Sequence, residues 1–108
     1  MTSGFEEREK GFEEKWGRDE ELRFKVHARR DKLVGLWAAG EMGITGAAME
    51  AYARDVVQAG LAEAGDKAVF QKIRADFDAK SIARTDHLIN TKMAECFETA
   101  KKQVMEGK

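Results

Sequence analysis

Two histidines, one cysteine and 20 carboxylates are the side chains of this 108-residue chain whose types could support catalysis or hold a metal. Their spacing argues against both. Neither His27 nor His87 has a second His or Cys three or four residues away, so a metal site on one helix face is not expected. The carboxylates are spread as solvated helix faces, and no grouping of Ser, His and acid stands out for nucleophilic catalysis. The glycines of GEMGITG (Gly40, Gly43, Gly46) precede no Lys-Ser or Lys-Thr and follow no strand, so they read as helix ends and not as a phosphate loop. Cys96 sits among apolar helix positions. It reads as a buried structural thiol, and a single cysteine without an internal partner suits a reduced compartment. The expectation is a protein that is not an enzyme and needs no metal or cofactor.

What remains is the chemistry of binding. Residues 4–17 hold a near-repeat, GFEEREK followed by GFEEKWG, with a period of seven. Phe5, Phe12 and Trp16 then fall within an arc of roughly 40° on a helix turning about 100° per residue. Glu6 with Lys10 and Glu14 with Arg18 form acid-to-base pairs at i, i+4. Against this, Gly4, Gly11 and Gly17 each cost a helix about 1 kcal/mol relative to Ala. No Leu, Ile or Val precedes Leu22, so the stripe is expected to bind a partner and to lie outside the core. Such a segment is frayed when free and helical when bound.

Proline is absent, helix formers abound and no strand-length alternation occurs, so the chain is all-α. Asp19 is expected to cap a long helix whose apolar side is Leu22, Val26, Leu33, Leu36 and Trp37, ending near Gly40 and Gly43. Thr45 is the expected cap of a second, with Met49, Tyr52, Ala53, Val56, Val57 and Leu61 inward. After Gly65, Asp66 caps a third that buries Val69, Phe70, Ile73 and Phe77. The fourth starts at Ser81 or Thr85 and buries Ile89, Met93, Cys96, Phe97, Ala100 and Val104. Short connections favour a four-helix bundle over residues 19–108, with residues 1–18 a flexible, conditionally helical segment outside it. A net charge of −1 gives no global attraction for nucleic acid or anionic membrane, and neither a membrane span nor a secretory signal is present. The competing reading is a helical adaptor or nucleic-acid module using the basic helix 23–32. Its bases Arg23, Lys25, Arg29 and Arg30 are expected to be spread around the helix, not gathered on one face.

The pattern Phe5-Glu6-Glu7-Arg8-Glu9, then Phe12-Glu13-Glu14-Lys15, then DEELRFKVHARRDKL from Asp19 to Leu33 and Gly35-Leu36-Trp37-Ala38-Ala39 resembles the zeta subunit family of alphaproteobacterial F-type ATP synthases. The resemblance is strongest up to about residue 46 and follows the helix pattern beyond it. It implies a small four-helix protein whose N-terminal segment inhibits ATP hydrolysis by the synthase head. The implied partners are the alpha, beta and gamma subunits of that head, and the implied location is the cytoplasm, at the inner membrane only when bound to the synthase. Free, the protein is expected to be a monomer. Carried onto this chain, the partner-binding residues are Phe5, Glu6, Arg8, Glu9, Phe12, Glu13, Lys15 and Trp16, continuing into Glu20, Leu22, Arg23 and Phe24.

Overall fold

Asp19, in extended backbone (φ −113°, ψ 99°), opens the first and longest helix by accepting a 3.0 Å hydrogen bond from the Leu22 N–H at its Oδ1. The computed structural model describes residues 11, 12, 14–16, 19–63 and 65–107. These form four α-helices, α1 (Glu20–Glu41), α2 (Ala47–Ala62), α3 (Lys67–Ala79) and α4 (Asp86–Met105). A short helical stretch through Gly11, Phe12 and Glu14–Trp16 precedes them. The chain is all-α, as its composition requires. Of the segment 1–18 expected to be flexible, residues 1–10, 13, 17 and 18 lie outside the described residues.

Helix α1 is the centre of the bundle and packs most extensively on α2 and then on α4. Its closest approach is made by small residues. A Cβ added at Gly35 would lie 2.9 Å from the Ala53 Cα and 3.1 Å from the Val56 Cβ, so only glycine lets α1 and α2 come this near. The main core gathers Val34 and Ala38 of α1, Val56 of α2, Val69, Ile73 and Phe77 of α3, and Ile89 and Met93 of α4. Trp37 meets Phe77 edge-on, with ring centroids 5.7 Å apart.

The observed inward face of α1 differs from the expected one. Only Val26 of the five apolar residues read as its buried side is fully enclosed, while Leu22, Leu33, Leu36 and Trp37 are half-buried. Val34, Gly35, Ala38 and Ala39 take the closest positions, because the crossing with α2 selects for small side chains. More unexpectedly, Arg30 and Asp31 are also buried, at 3% and 4% exposure. The Arg30 Nε donates to Asp31 Oδ1 at 2.6 Å and its Nη2 donates to Asp66 Oδ1 at 2.9 Å. Among the described residues no buried side-chain nitrogen or oxygen lacks a partner. Burial pushes the Asp31 carboxyl above its usual range, and the Arg30 charge pulls against that shift.

Two caps also differ. Gly46 (φ 65°), not Thr45, stands before α2, and Asp66 precedes α3 without capping it through its side chain, since its carboxylate is turned to Arg30. Thr85 resolves the ambiguity at α4, its Oγ1 accepting from the Leu88 N–H at 3.0 Å. Leu61, expected inward, is 49% exposed, because the last turn of α2 meets Asp31 and Val69 through its neighbour Gly60. The C-termini of α1 and α3 close alike. Gly43 (φ 74°) and Ser81 (φ 57°) are left-handed, and the N–H groups of Ile44 and Ile82 reach back to Ala39 and Phe77 at 2.9 and 2.8 Å.

Ser81 does without glycine in a conformation that costs L-residues about 1 kcal/mol. Ser81→Gly should therefore raise stability by up to about 1 kcal/mol in urea unfolding, offset in part by the entropy glycine adds to the unfolded chain. Arg30→Met should have the opposite sign and greater size. It strands the Asp31 carboxylate in the core and should cost about 3–5 kcal/mol, whereas adding Asp31→Leu to it should recover much of the loss.

Candidate functional site

The bundle has a second apolar cluster at the end where α1 begins and α4 finishes. Val26 of α1 and Ala100 of α4 are fully buried there, with Leu22, Leu33, Phe97, Val104 and Met105 half-buried around them. Neither α2 nor α3 contributes to it. Two helices alone leave such a seam open on one side, and the missing wall is supplied by the N-terminal segment. Phe12 sits in the seam at 8% exposure. Trp16 lies stacked against it with ring centroids 6.0 Å apart, and meets Phe97 edge-on at 5.7 Å. The His27 ring is 6.3 Å from Trp16, and the Lys101 Nζ lies 5.9 Å from the indole.

For Phe12 and Trp16 this differs from the expectation that the stripe lies outside the core, while Phe5 falls outside the described residues. Phe12 and Trp16 share one face, as their spacing predicts, but that face is turned onto α1 and α4. The scarcity of aliphatic residues before Leu22 was misleading, because the aliphatic half of the cluster comes from the two helices beneath. Glu14 and Lys15 point outward and are exposed. The connection to the bundle is brief: the Asp19 N–H donates to the Lys15 carbonyl at 3.0 Å, and the chain then turns through extended Asp19 into α1.

Among the other expected partner-binding residues, Glu20 is exposed, Leu22 and Arg23 are half-buried, and Phe24 stands 56% exposed. Phe5, Glu6, Arg8, Glu9 and Glu13 lie outside the described residues. The structure thus brings together Phe12, Trp16 and Leu22 in one cluster and leaves Phe24 apart on the surface. His27, Phe97 and Ala100 complete the aromatic seat and were not singled out for it from sequence. No local signal could have done so, since α4 meets residues 12–16 only through the tertiary fold.

The basic helix resolves differently from its sequence reading. Arg30 turns into the core, which removes it from any nucleic-acid surface. Arg29 Nη1 donates to Gln103 Oε1 at 3.3 Å, and Lys25 stands 3.7 Å from Glu21. Arg23, Lys25, Arg29 and Arg30 do not gather on one face, as expected, but Lys25 and Arg29 share a groove with Lys32. Cys96 is half-buried against the main core, and burial pushes its thiol up, away from the reactive thiolate. Among the described residues no helix is long and apolar enough to cross a membrane, and no three metal-ligating side chains converge.

None of the curated proteins matches the chain. A protein whose structure was determined in solution by NMR superposes with a TM-score of 0.71 at 38% identity, the match covering 81% of this chain and 99% of that one. The sequence also matches, over residues 1–103, the family described as ATPase inhibitor subunit zeta. With nearly the whole chain matched, N-terminal segment included, the protein belongs to the ATPase inhibitor subunit zeta family.

Proposed function

We propose that this protein blocks ATP hydrolysis by the F-type ATP synthase by inserting its N-terminal segment, as a helix, into an interface of the catalytic head formed by the alpha, beta and gamma subunits. The observation that carries the reading is that the family match begins at residue 1 and so includes the aromatic segment. Phe5, Phe12 and Trp16 are the anchors in this reading, rigid aromatics of the kind that dominate protein interfaces. Glu6, Arg8, Glu9, Glu13 and Lys15 pair with charges on the groove walls, and Glu20, Leu22, Arg23 and Phe24 extend the contact onto the start of α1. Residues 1–18 act as the inhibitory element and residues 19–108 as the bundle that carries it. The protein works in the cytoplasm as a monomer and reaches the inner membrane only through the synthase.

The geometry adds a condition. Phe12 and Trp16 cannot occupy the seam between α1 and α4 and a groove in the head at once, so insertion requires them to leave the bundle. The seated form competes with inhibition, and the apparent affinity falls by the fraction of molecules still seated.

Two variants give effects of opposite sign. Trp16→Ala removes an anchor and should raise the concentration giving half inhibition roughly 30-fold, the equivalent of about 2 kcal/mol. Met105→Asp places a charge in the seam, leaves every anchor intact and should lower that concentration while tryptophan fluorescence shifts to the red. Steady-state ATPase assays on the isolated head with each variant provide the check. Equal inhibition by the wild type and Trp16→Ala would sink the insertion reading, and Met105→Asp inhibiting less well than the wild type would remove the competition.

A further inference from the structure

A groove of about 620 Å³ runs beside α1, away from the aromatic seat, lined by Phe24, Lys25, Ala28, Arg29 and Lys32 with Val57 and Val104 at its sides. Residues 25, 29 and 32 stand at i, i+4 and i+7, within about 60° of one another around the helix. They form a single basic row. Phe24 and Ala28 form a second, apolar row beside it, and Val57 and Val104 continue the apolar surface onto α2 and α4. No lining residue is acidic. Among the described residues the row makes one ion pair, Lys25 with Glu21 at 3.7 Å, with both side chains more than half exposed (60% and 79%), an arrangement worth under about 1 kcal/mol and readily exchanged.

Phe24 is the most exposed large hydrophobic among the described residues, at 56%. Its neighbours set it apart from a scattered surface residue, because it lies at the edge of a concave apolar strip with three cations alongside. From residue 25 to residue 32 the basic row spans about 10 Å at 1.5 Å per residue, roughly two helical turns. Two rows of this length, one apolar and one cationic, are the complement of a short amphipathic helix with carboxylates along one edge and aliphatic residues along the next.

We propose that this groove is a second docking surface, which receives an acidic amphipathic helix of the ATP synthase head and holds the bundle there while the N-terminal segment inserts. The inference rests on the function proposed above, which sends the chain's own N-terminal segment into the head and leaves the groove for a partner. A membrane surface fits less well, since a flat anionic bilayer cannot follow a concave strip with one protruding aromatic. Nucleic acid fits less well too: three cations give a small electrostatic footprint, and the single exposed ring offers no stacking platform.

The test measures binding of the full-length chain to the purified head at low and physiological salt, for the wild type, for Lys25→Glu/Arg29→Glu/Lys32→Glu and for Ala28→Glu, whose site lines the groove and has no part in the insertion. Each variant should bind at least tenfold more weakly with an unchanged melting temperature, and the triple variant should lose most of the salt dependence shown by the wild type. Wild-type binding with undiminished affinity in both variants would overturn the groove and leave the proposed function standing. Failure of the wild type to bind the head would instead overturn the proposed function, and the groove's assignment with it. Phosphatidylglycerol vesicles and a single-stranded RNA oligomer serve as further probes. Binding of either by the wild type, lost in the triple variant, would reassign the groove and overturn the proposal. So would a shift of the Lys25, Arg29 and Lys32 NMR signals on deleting residues 1–10 in the absence of the head, because the occupant would then be the chain itself.

Discussion

One buried charge fixes how α1 lies in the bundle. The Arg30 guanidinium, 3% exposed, is held between Asp31 beside it and Asp66 at the start of α3. An unpaired arginine in that position would be prohibitively costly, so α1 has little freedom to rotate about its axis without losing one partner or the other. With Arg30 placed, Val26 and Val34 fall on the same line one turn away on either side. Asp31 then faces α2, where a Cβ at Gly60 would collide with its carboxylate. The pair therefore sets the α1–α2 spacing as well as the rotation. It gives specificity more than net stability, because desolvation of two charges consumes most of their mutual attraction. The exposed pairs, such as Lys25 with Glu21, impose no comparable constraint.

With α1 so oriented, its two halves have different surroundings. The C-terminal half meets all three other helices and closes a core that contains the largest enclosed side chains, Phe77, Ile73 and Ile89. The N-terminal half meets only α4 in an apolar cluster. Its buried residues are Phe12, Val26 and Ala100, fewer than the main core holds, and the last wall is a short helical stretch linked to the bundle through Asp19. A cluster with fewer enclosed residues opens at lower cost than a full core. That is where a segment that must leave would be expected to lie.

The elements that were legible in the sequence are those fixed by local chemistry. Asp19 caps as expected, Thr85 is the one of two candidate caps that opens α4, and Gly43 is left-handed where the α1 pattern stops. What could not be read is where tertiary contact outbid local preference. Asp66 looks like a cap but turns to a guanidinium 36 residues away. Arg30 and Asp31, adjacent and of opposite sign, look like ordinary surface charges, and periodicity cannot tell a buried pair from a solvated one. The four bases Arg23, Lys25, Arg29 and Arg30 are scattered as their spacing says, and the row becomes visible only when Lys32 is counted with Lys25 and Arg29. Phe12 and Trp16 were correctly placed on one face, but which surface that face meets depends on α4, some 80 residues further along the chain.

Gly11 brings these strands together. A Cβ at this position would meet nothing within 4 Å, and its backbone is helical, so neither packing nor dihedral angle calls for glycine. Alanine would fit the same space and favour the helix by about 1 kcal/mol. The glycine therefore lowers the stability of the seated helix without any gain in the fold itself. In a segment that stays on the bundle this would be a pure loss. In a segment that exchanges between a seam on its own bundle and a groove on a partner, a weak intrinsic helix lowers the cost of the frayed state through which the aromatics pass from one site to the other. Binding is then decided by how well each site receives Phe12 and Trp16, because helicity favours both sites equally and a term common to two states shifts no population between them.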